Sequence, residues 1–363
     1  MTFSTFSQFI TQNAKTFKIT SNQQNLNLRT WANASEGSGF WENQSIPKIF
    51  IIQPSVTIYS LDRTIPALTI PYINASYALN VGPGPHNKVI IINYGDIIAG
   101  GGLGASTSTA DGGPAISVQN YNNGISGPRP APFVDIYNFG NIYGGAGAGG
   151  RGGEGGQGRT SSTSTSTSTV DRGNSGLQYN LGGNYANMCQ EACKKAFGNN
   201  AFCSVGCYLT PGQGGCGCPC WSTEAFGSAE CNCCKENVTT TTTTYTYYDG
   251  GDGGSGGNGA QYNQSAGTGS GGGTGGTNAG DGGDGGDGGA LGQPGTGGDT
   301  GANGNYSNGL NGINGGSVGS WLEQGTEVVG SGTPVNVEQT VKWVNYGSGA
   351  VYGSITHPNV VAI

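Results

Sequence analysis

The segment 280–304 reads GDGGDGGDGGALGQPGTGGDTGANG, and glycine returns at every third position of it. The same spacing recurs over 144–156 and 250–259. A polyproline-II-like helix has three residues per turn and no internal hydrogen bonds, so glycine at period three leaves one face of such a helix bare. Bare faces let neighbouring backbones pair N–H with C=O between helices. We therefore predict a sandwich of polyglycine-II helices, in which the long run breaks into several antiparallel passes.

A flexible linker is the competing interpretation of a glycine-rich chain. Glycine supplies 73 of the 363 residues, where average usage is about 7%. A linker has no reason to keep a triplet register over so long a run, which favours the ordered bundle. Collagen is excluded because proline, at 15 residues, is far below the roughly 15–20% that triple helices need. A helical enzyme is excluded because glycine costs about 1 kcal/mol per helical position relative to alanine.

The region before the first glycine tract has a different pattern. Short runs of β-branched and aromatic residues alternate with prolines, which predicts short strands joined by tight turns. The fold class is therefore mainly β. The predicted strands are Phe17–Thr20, Lys48–Ile52, Val56–Tyr59, Leu68–Ile70 and Lys88–Asn93.

An internal repeat points to stacked layers. Residues 91–102 and 135–146 each contain an apolar strand, an aromatic-glycine turn, a second apolar pair and an entry into glycine. A weaker copy begins at Val118, and the turn recurs after Val341. Repeated strand-turn units bury their faces on one another.

The first 18 residues place apolar side chains at spacings of three and four, which predicts one face of a helix. Such a face either packs on its own domain or attaches the protein to a partner. The candidate attachment residues are Phe3, Phe6, Ile10 and Phe17.

All ten cysteines fall within 46 residues, which indicates a small module that needs cross-links. They are Cys189, Cys193, Cys203, Cys207, Cys216, Cys218, Cys220, Cys231, Cys233 and Cys234. Two antiparallel helices, about 187–197 and 201–209, would favour Cys189–Cys207 and Cys193–Cys203 bridges. Zinc is the alternative, but the even count and the lack of histidine favour disulfides and no metal. The Ser/Thr tracts on either side, 160–169 and 239–244, are expected to be exposed stalks or loops.

Charge and hydropathy narrow the possible partners. The formal net charge is −7, and no Lys or Arg occurs between Glu236 and Val341, which speaks against a nucleic-acid partner. No apolar run approaches the roughly 20 residues that a bilayer crossing needs, so we expect no membrane insertion. Asp281, Asp284 and Asp287 are interpreted as a solvated acidic ridge, with a calcium repeat as the alternative. No catalytic constellation and no cofactor motif is predicted, so we expect no enzyme.

The segments 25–32, 91–102 and 341–353, together with the triplet-glycine tracts, resemble the glycine-rich receptor-recognition proteins at the tips of phage tail fibres. The resemblance implies a virion-associated, extracellular adhesin. In that family a β-rich N-terminal region docks on a tail-fibre or other virion protein, and a polyglycine sandwich presents loops to a host surface protein or glycan. The cysteine module departs from the family pattern. We expect receptor contacts from aromatic loop residues, namely Trp221, Phe226, Tyr245, Tyr247 and Tyr248.

The predicted organisation has five parts. A helix and β region for attachment (1–100) is followed by the first glycine layers with a Ser/Thr loop (101–186). The cysteine module as an inserted α-hairpin (187–236), the main glycine bundle (237–318) and C-terminal strands (319–363) complete the chain. Two other functions stay open: a structural subunit of a fibre, appendage or filament, and an ice-binding protein.

Overall fold

A computed structural model shows that the protein is mainly β. The residues that the structure describes are 14–43, 45–71, 88–104, 110–122, 133–173, 178–180, 191, 193–203, 222–223, 228–230, 234–328, 341–346, 349–357 and 360–362. They divide into two compact units, of which unit 1 holds Met1–Arg159 and Tyr247–Ile363 and unit 2 holds Thr160–Thr246.

The strands are numbered in chain order. The first eleven are β1 Lys15–Ile19, β2 Gln23–Gln24, β3 Leu26–Asn27, β4 Lys48–Ile52, β5 Thr57–Tyr59, β6 Leu68–Ile70, β7 Lys88–Asn93, β8 Asp96–Ile98, β9 Ile116–Asn122, β10 Phe133–Asn138 and β11 Asn141–Tyr143. The others are β12 Gly158–Gly173, β13 Gln178–Asn180, β14 Ala201–Cys203, β15 Ser222–Thr223, β16 Ser228–Glu230, β17 Cys234–Tyr248, β18 Ser320–Val328, β19 Val341–Asn345, β20 Ala350–Tyr352, β21 Ser354–Ile355 and β22 Val360–Ala362. Helix α1 spans Leu28–Glu36, and a 3-10 helix spans Phe40–Glu42.

Unit 1 contains a parallel β-solenoid. Successive turns of the chain add one strand to each of three parallel sheets, ordered β1-β4-β7-β10-β19-β22, β2-β5-β8-β11-β20 and β3-β6-β9-β18-β21. Inward side chains such as Ile52, Ile91 and Leu68 are fully buried between the sheets. Burial of these apolar rows stabilises the stack, since each turn covers the face of the next. The predicted strands at 48–52, 68–70 and 88–93 are confirmed with the same bounds.

The internal repeat marks equivalent positions on neighbouring turns. β7 pairs with β10 so that Ile91 lies beside Ile136, and β10 pairs with β19 so that Ile136 lies beside Trp343. The stacked layers predicted from the repeat are thereby confirmed. The weaker copy at Val118 is not equivalent, because it lies in β9 of the third sheet.

The turn of the repeat has a structural role on each face. Inside, Asn93 donates to Asn138 at 2.7 Å and Asn138 donates to Asn345 at 2.8 Å, so these carboxamides form a ladder along the stack. Outside, the ring of Phe139 stacks on those of Tyr94 and Tyr346, with centroids 4.9 and 4.8 Å apart. Hydrogen bonds on one side of the turn and aromatic contacts on the other hold successive turns in register.

The helix predicted over the first 18 residues does not include Phe17, the last of its apolar positions. Phe17 lies in strand β1, is 5% exposed and stacks on Phe50. Its place in the solenoid core is incompatible with an exposed helical face. Phe3, Phe6 and Ile10 lie outside the described residues.

Lys48, the first residue of β4, is a buried cation. Its Nζ donates to the carbonyl oxygens of Asn43 and Ile46, at 2.7 and 3.1 Å. Burial lowers the pKa of Lys48 to about 8, although the charge of Glu42 acts in the opposite direction.

The glycine tracts form an insertion in one turn of the solenoid, between β11 and β18. They run as six passes that are neither α-helix nor β-strand, which we name A to F. The passes are A (144–157), B (249–260), C (267–276), D (279–290), E (293–304) and F (307–319). The run 280–304 thus breaks into D and E, and the chain reverses at Gly292, whose φ of +66° is a left-handed conformation that glycine tolerates best.

Unit 2 is built on a long two-stranded ribbon. β12 pairs with β17, and the hydroxyl contacts Thr163–Thr243 and Thr167–Thr239 show that the strands run in opposite directions. The Ser/Thr tracts are exposed, as predicted, and they form paired strands, so the loop alternative is wrong. Threonine is β-branched and favours extended strands.

The cysteine module also differs from its prediction. Cys193 is bonded to Cys234, so the Cys193–Cys203 pairing is wrong. Residues 193–197 are helical, but Ala201–Cys203 pairs antiparallel with β17 and therefore cannot begin a second helix. Both bonded cysteines are fully buried. Of the remaining eight, Cys203 is described by its backbone position alone; Cys189, Cys207, Cys216, Cys218, Cys220, Cys231 and Cys233 lie outside the described residues, as does the expected Cys189–Cys207 bridge.

Candidate functional site: the distal end of the glycine array

The glycine array is held by hydrogen bonds between backbones of different passes. Gly152 on pass A donates to Gly254 on pass B at 2.8 Å, and Gly254 donates to Gly283 on pass D at 2.8 Å. Gly283 closes the triangle by donating to Gly153 on pass A, also at 2.8 Å. The same triangle recurs one triplet before and one triplet after. Three passes are therefore joined to one another along their length by main-chain atoms.

The close approach of the passes depends on the absence of side chains. At Gly152, an added Cβ would overlap the carbonyl oxygen of Gly283. Over residues 149–157 of pass A, two residues of each triplet are glycines that face neighbouring passes, and the third carries the side chain. Those third positions are Arg151, Glu154 and Gln157. The array therefore presents its side chains on restricted faces and at its ends.

The three aspartates of pass D are exposed, as the solvated ridge predicts, and each also accepts a hydrogen bond from a backbone amide. The Oδ1 atoms of Asp281, Asp284 and Asp287 accept hydrogen bonds from the amides of Gly275, Gly272 and Gly269, at 2.8, 2.9 and 2.9 Å. Each carboxylate therefore satisfies a backbone donor of pass C, a function that a carbonyl of a further pass would otherwise serve. Within the described residues, no group of three or more acidic, histidine or cysteine side chains has the arrangement of a metal site.

The two ends of the array differ in their connections. Pass A begins directly after β11 and pass F ends directly before β18, so residues 144 and 319 join the solenoid. The opposite end, which we call the distal end, consists of 157–159, 247–249, 276–279 and 303–308. These are the segments in which the chain enters, leaves or reverses direction between passes.

Two exposed tyrosines and an arginine form the most prominent side-chain group of the distal end. The rings of Tyr247 and Tyr306 meet edge to face with centroids 4.9 Å apart, and they are 51% and 48% exposed. The guanidinium of Arg159 lies 5.0 Å from the centre of the Tyr306 ring. We call these three residues the tyrosine–arginine cluster.

The cluster is positioned by hydrogen bonds on the turn that carries Tyr306. The side chain of Asn305 accepts from the amide of Arg159 at 2.7 Å and donates to its carbonyl oxygen at 2.9 Å. The amide of Tyr306 donates to the carbonyl oxygen of Gln157 at 3.1 Å, and Gln157 Nε2 donates to Asp249 at 3.5 Å. A turn with this many fixed backbone contacts holds its ring in one place.

The structure brings only part of the predicted contact set to this end. Tyr247 belongs to the cluster, and Tyr248 is half-buried beside Gly276, where an added Cβ would contact it. Tyr245 is half-exposed in unit 2, and Trp221 and Phe226 lie outside the described residues. Sequence reasoning missed Tyr306 and Arg159. The signal for Tyr306 was a lone aromatic residue within the turn-forming sequence Asn303-Gly-Asn-Tyr-Ser-Asn308.

No helix among the described residues combines the length and the apolar character that a membrane crossing requires.

A family model described as phage tail fibre adhesin Gp38 matches residues 14–246, which is more than half of the chain. No curated protein and no solved structure gives a significant match to the chain.

Proposed function

The chain belongs to the phage tail fibre adhesin family, and we propose that it attaches a virion to its host by contacting a cell-surface receptor with the distal end of the glycine array. Family membership makes it a virion-associated protein. The observation that carries the proposal is the tyrosine–arginine cluster. Its two tyrosines expose about half of their surface, although each belongs to a segment tied down by backbone hydrogen bonds.

The passes A to F act in this proposal as polyglycine-II helices. In passes A, B and D, the hydrogen bonds to a given neighbouring pass recur at every third residue. This spacing supports the interpretation, since a helix with three residues per turn points successive groups in three directions. At about 3.1 Å per residue, the 13 steps of pass A from 144 to 157 would extend roughly 40 Å. Such a scaffold would carry the cluster well away from the solenoid.

A main-chain scaffold suits a receptor-binding protein for a physical reason. The triangles of hydrogen bonds that join passes A, B and D use main-chain atoms alone, so turn sequences can change without loss of those bonds. Binding residues are commonly found on loops that a rigid framework positions. Tyrosine and arginine offer large contact area and directional bonds at such sites.

The solenoid is assigned to attachment on the virion side. We propose that residues 1–100, with Phe3, Phe6 and Ile10 as candidate contacts, dock on a tail-fibre or other virion protein. In the same proposal, residues 101–186 and 237–318 supply the glycine scaffold, 187–236 form the inserted cysteine module and 319–363 return to the solenoid. Deletion of residues 1–12 would leave β1 intact and should abolish incorporation into virions while host-cell binding by the purified protein persists.

An adsorption-competition assay tests the receptor function. Purified wild-type protein should occupy receptors on host cells and slow the adsorption of infectious particles, whereas the Tyr247→Ala, Tyr306→Ala double variant should compete at least tenfold less well. The control is Leu310→Ala, which removes an exposed side chain on pass F that is 58% exposed. Equal competition by the double variant and the wild type would refute the assignment of the distal end.

A further inference from the structure

The chemistry of the distal end indicates which kind of receptor it fits. We propose that the tyrosine–arginine cluster binds a pyranose ring of a host surface polysaccharide; this inference rests on the proposed receptor function. A pyranose has a face of C–H groups and a rim of hydroxyl groups. It is recognised by aromatic rings that cover the C–H face and by planar polar side chains that hydrogen-bond to the rim.

Tyr247 and Tyr306 supply the aromatic part of such a site. Their rings are inclined by 68° with centroids 4.9 Å apart, so they form two walls of an open corner rather than one flat plate. The Arg159 guanidinium lies 5.0 Å from the centre of the Tyr306 ring, which helps to fix that ring without covering the whole of it, since Tyr306 remains 48% exposed. A sugar ring stacked on one wall would have its edge against the other.

Polar groups beside the corner match the rim of hydroxyls. Gln157 and Asp249 are exposed at the same end and are joined by a hydrogen bond from Nε2 to Oδ1 at 3.5 Å. A carboxamide and a carboxylate each accept from hydroxyls through an oxygen, and the carboxamide can also donate. The tyrosine hydroxyls act as donor and acceptor in the same way.

The composition of the distal end matches a polar ligand better than an apolar protein patch. Its segments 157–159, 247–249, 276–279 and 303–308 contain no branched aliphatic residue and no methionine. The buried centre of a protein–protein interface is more apolar than the rest of the surface and is depleted in charged groups. Here the side chains around the two rings are carboxamides, hydroxyls and charged groups. These groups can hydrogen-bond to the hydroxyls of a sugar, whereas an apolar protein patch would leave them without partners.

Binding of labelled full-length protein to cells of a bacterial strain on which the phage forms plaques tests the inference. One portion of cells is oxidised with periodate, which cleaves vicinal diols of sugars, and another is treated with proteinase K. The proposal expects periodate to remove binding and protease to leave it unchanged. Binding that survives periodate but is lost with protease would overturn the sugar assignment while supporting receptor binding in general. No binding to untreated cells would instead refute the proposed function itself.

A second measurement locates the sugar on the cluster. Oligosaccharide released by mild acid from the surface polysaccharide of that strain is the probe in saturation-transfer NMR and titration. Tyr306→Ala should weaken its binding about tenfold or more, because a ring that covers an apolar face is lost. Tyr306→Phe should stay within about threefold, since the ring remains, and Leu310→Ala should not change it. Equal binding by Tyr306→Ala and wild type, or no saturation transfer to the wild-type complex, would contradict the proposal.

Discussion

Alanine in place of Gly152 should destabilise the glycine array, and its cost can be worked from the structure. The new Cβ would overlap the carbonyl oxygen of Gly283, which lies on pass D. Separating pass A from pass D disturbs the triangle in which Gly152 donates to Gly254, Gly254 to Gly283, and Gly283 to Gly153. These glycines are buried, so each donor or acceptor left without a partner costs about 1–3 kcal/mol.

Loss of two of the three bonds gives about 2–6 kcal/mol. The lower entropy of the unfolded alanine variant offsets about 0.4–1 kcal/mol of that. We therefore expect the free energy of unfolding to fall by about 1–5.6 kcal/mol, which is a substantial fraction of the roughly 5–15 kcal/mol of a native protein. Equilibrium urea unfolding followed by far-ultraviolet circular dichroism measures the difference.

Gly271→Ala is the matched control for this experiment. At Gly271 the nearest atom to an added Cβ is Asp284 Oδ1 at 3.8 Å, an ordinary contact. The control should be neutral or slightly stabilised, since only the unfolded-state entropy changes. If the free energies of unfolding of the Gly152→Ala and Gly271→Ala variants agree within about 0.5 kcal/mol, close backbone packing does not hold the array and the reasoning is refuted.

Three further predictions concern other parts of the chain. Replacing Asp281, Asp284 and Asp287 by Ala should speed amide hydrogen exchange at Gly269, Gly272 and Gly275, whereas replacement by Asn, which keeps an acceptor oxygen, should not; equal exchange in both variants would contradict the capping role. Cys234→Ser should destabilise unit 2 by about 4 kcal/mol, because the bridge to Cys193 closes a loop with a sequence separation of 41, and limited proteolysis that is unchanged would argue otherwise. The free energy of unfolding should rise by about 2 kcal/mol between pH 7 and 9.5, because the pKa of Lys48 is about 8 in the folded protein against an ordinary value of 10.5. In this pH range the unfolded chain holds a proton that the folded chain has released. An equal rise in the Lys48→Met variant would exclude Lys48 as its source.

Local sequence patterns predicted the solenoid strands well but not how they close into three sheets. β4 and β7 could be read directly from their apolar runs, since both are buried on most of their length. The third sheet pairs β9 with β18, joining Ile116 to Leu322. This pairing could not be predicted because the whole glycine array and unit 2 separate the two strands in sequence, and no local pattern records such a contact.

The candidate site was predictable only in part for a related reason. Tyr247 was found because it ends a Thr-rich run with clustered aromatic residues, but Tyr306 is a lone aromatic residue nearly 60 positions later. The two meet because passes B and E both have ends at the distal end. The cysteine module failed for a different reason: spacing along a helix suggested local bridges, while the observed bridge joins Cys193 to a cysteine in a distant strand, a connectivity that sequence alone does not determine.

The central claim is that different glycine passes are joined by main-chain hydrogen bonds. Couplings transmitted through those bonds test it most directly, in a long-range HNCO experiment on the deuterated full-length protein. We predict correlations from the amide nitrogen of Gly152 to the carbonyl carbon of Gly254, from Gly254 to Gly283 and from Gly283 to Gly153. Assigned glycine amides that show none of these correlations and exchange with water at random-coil rates would contradict the account.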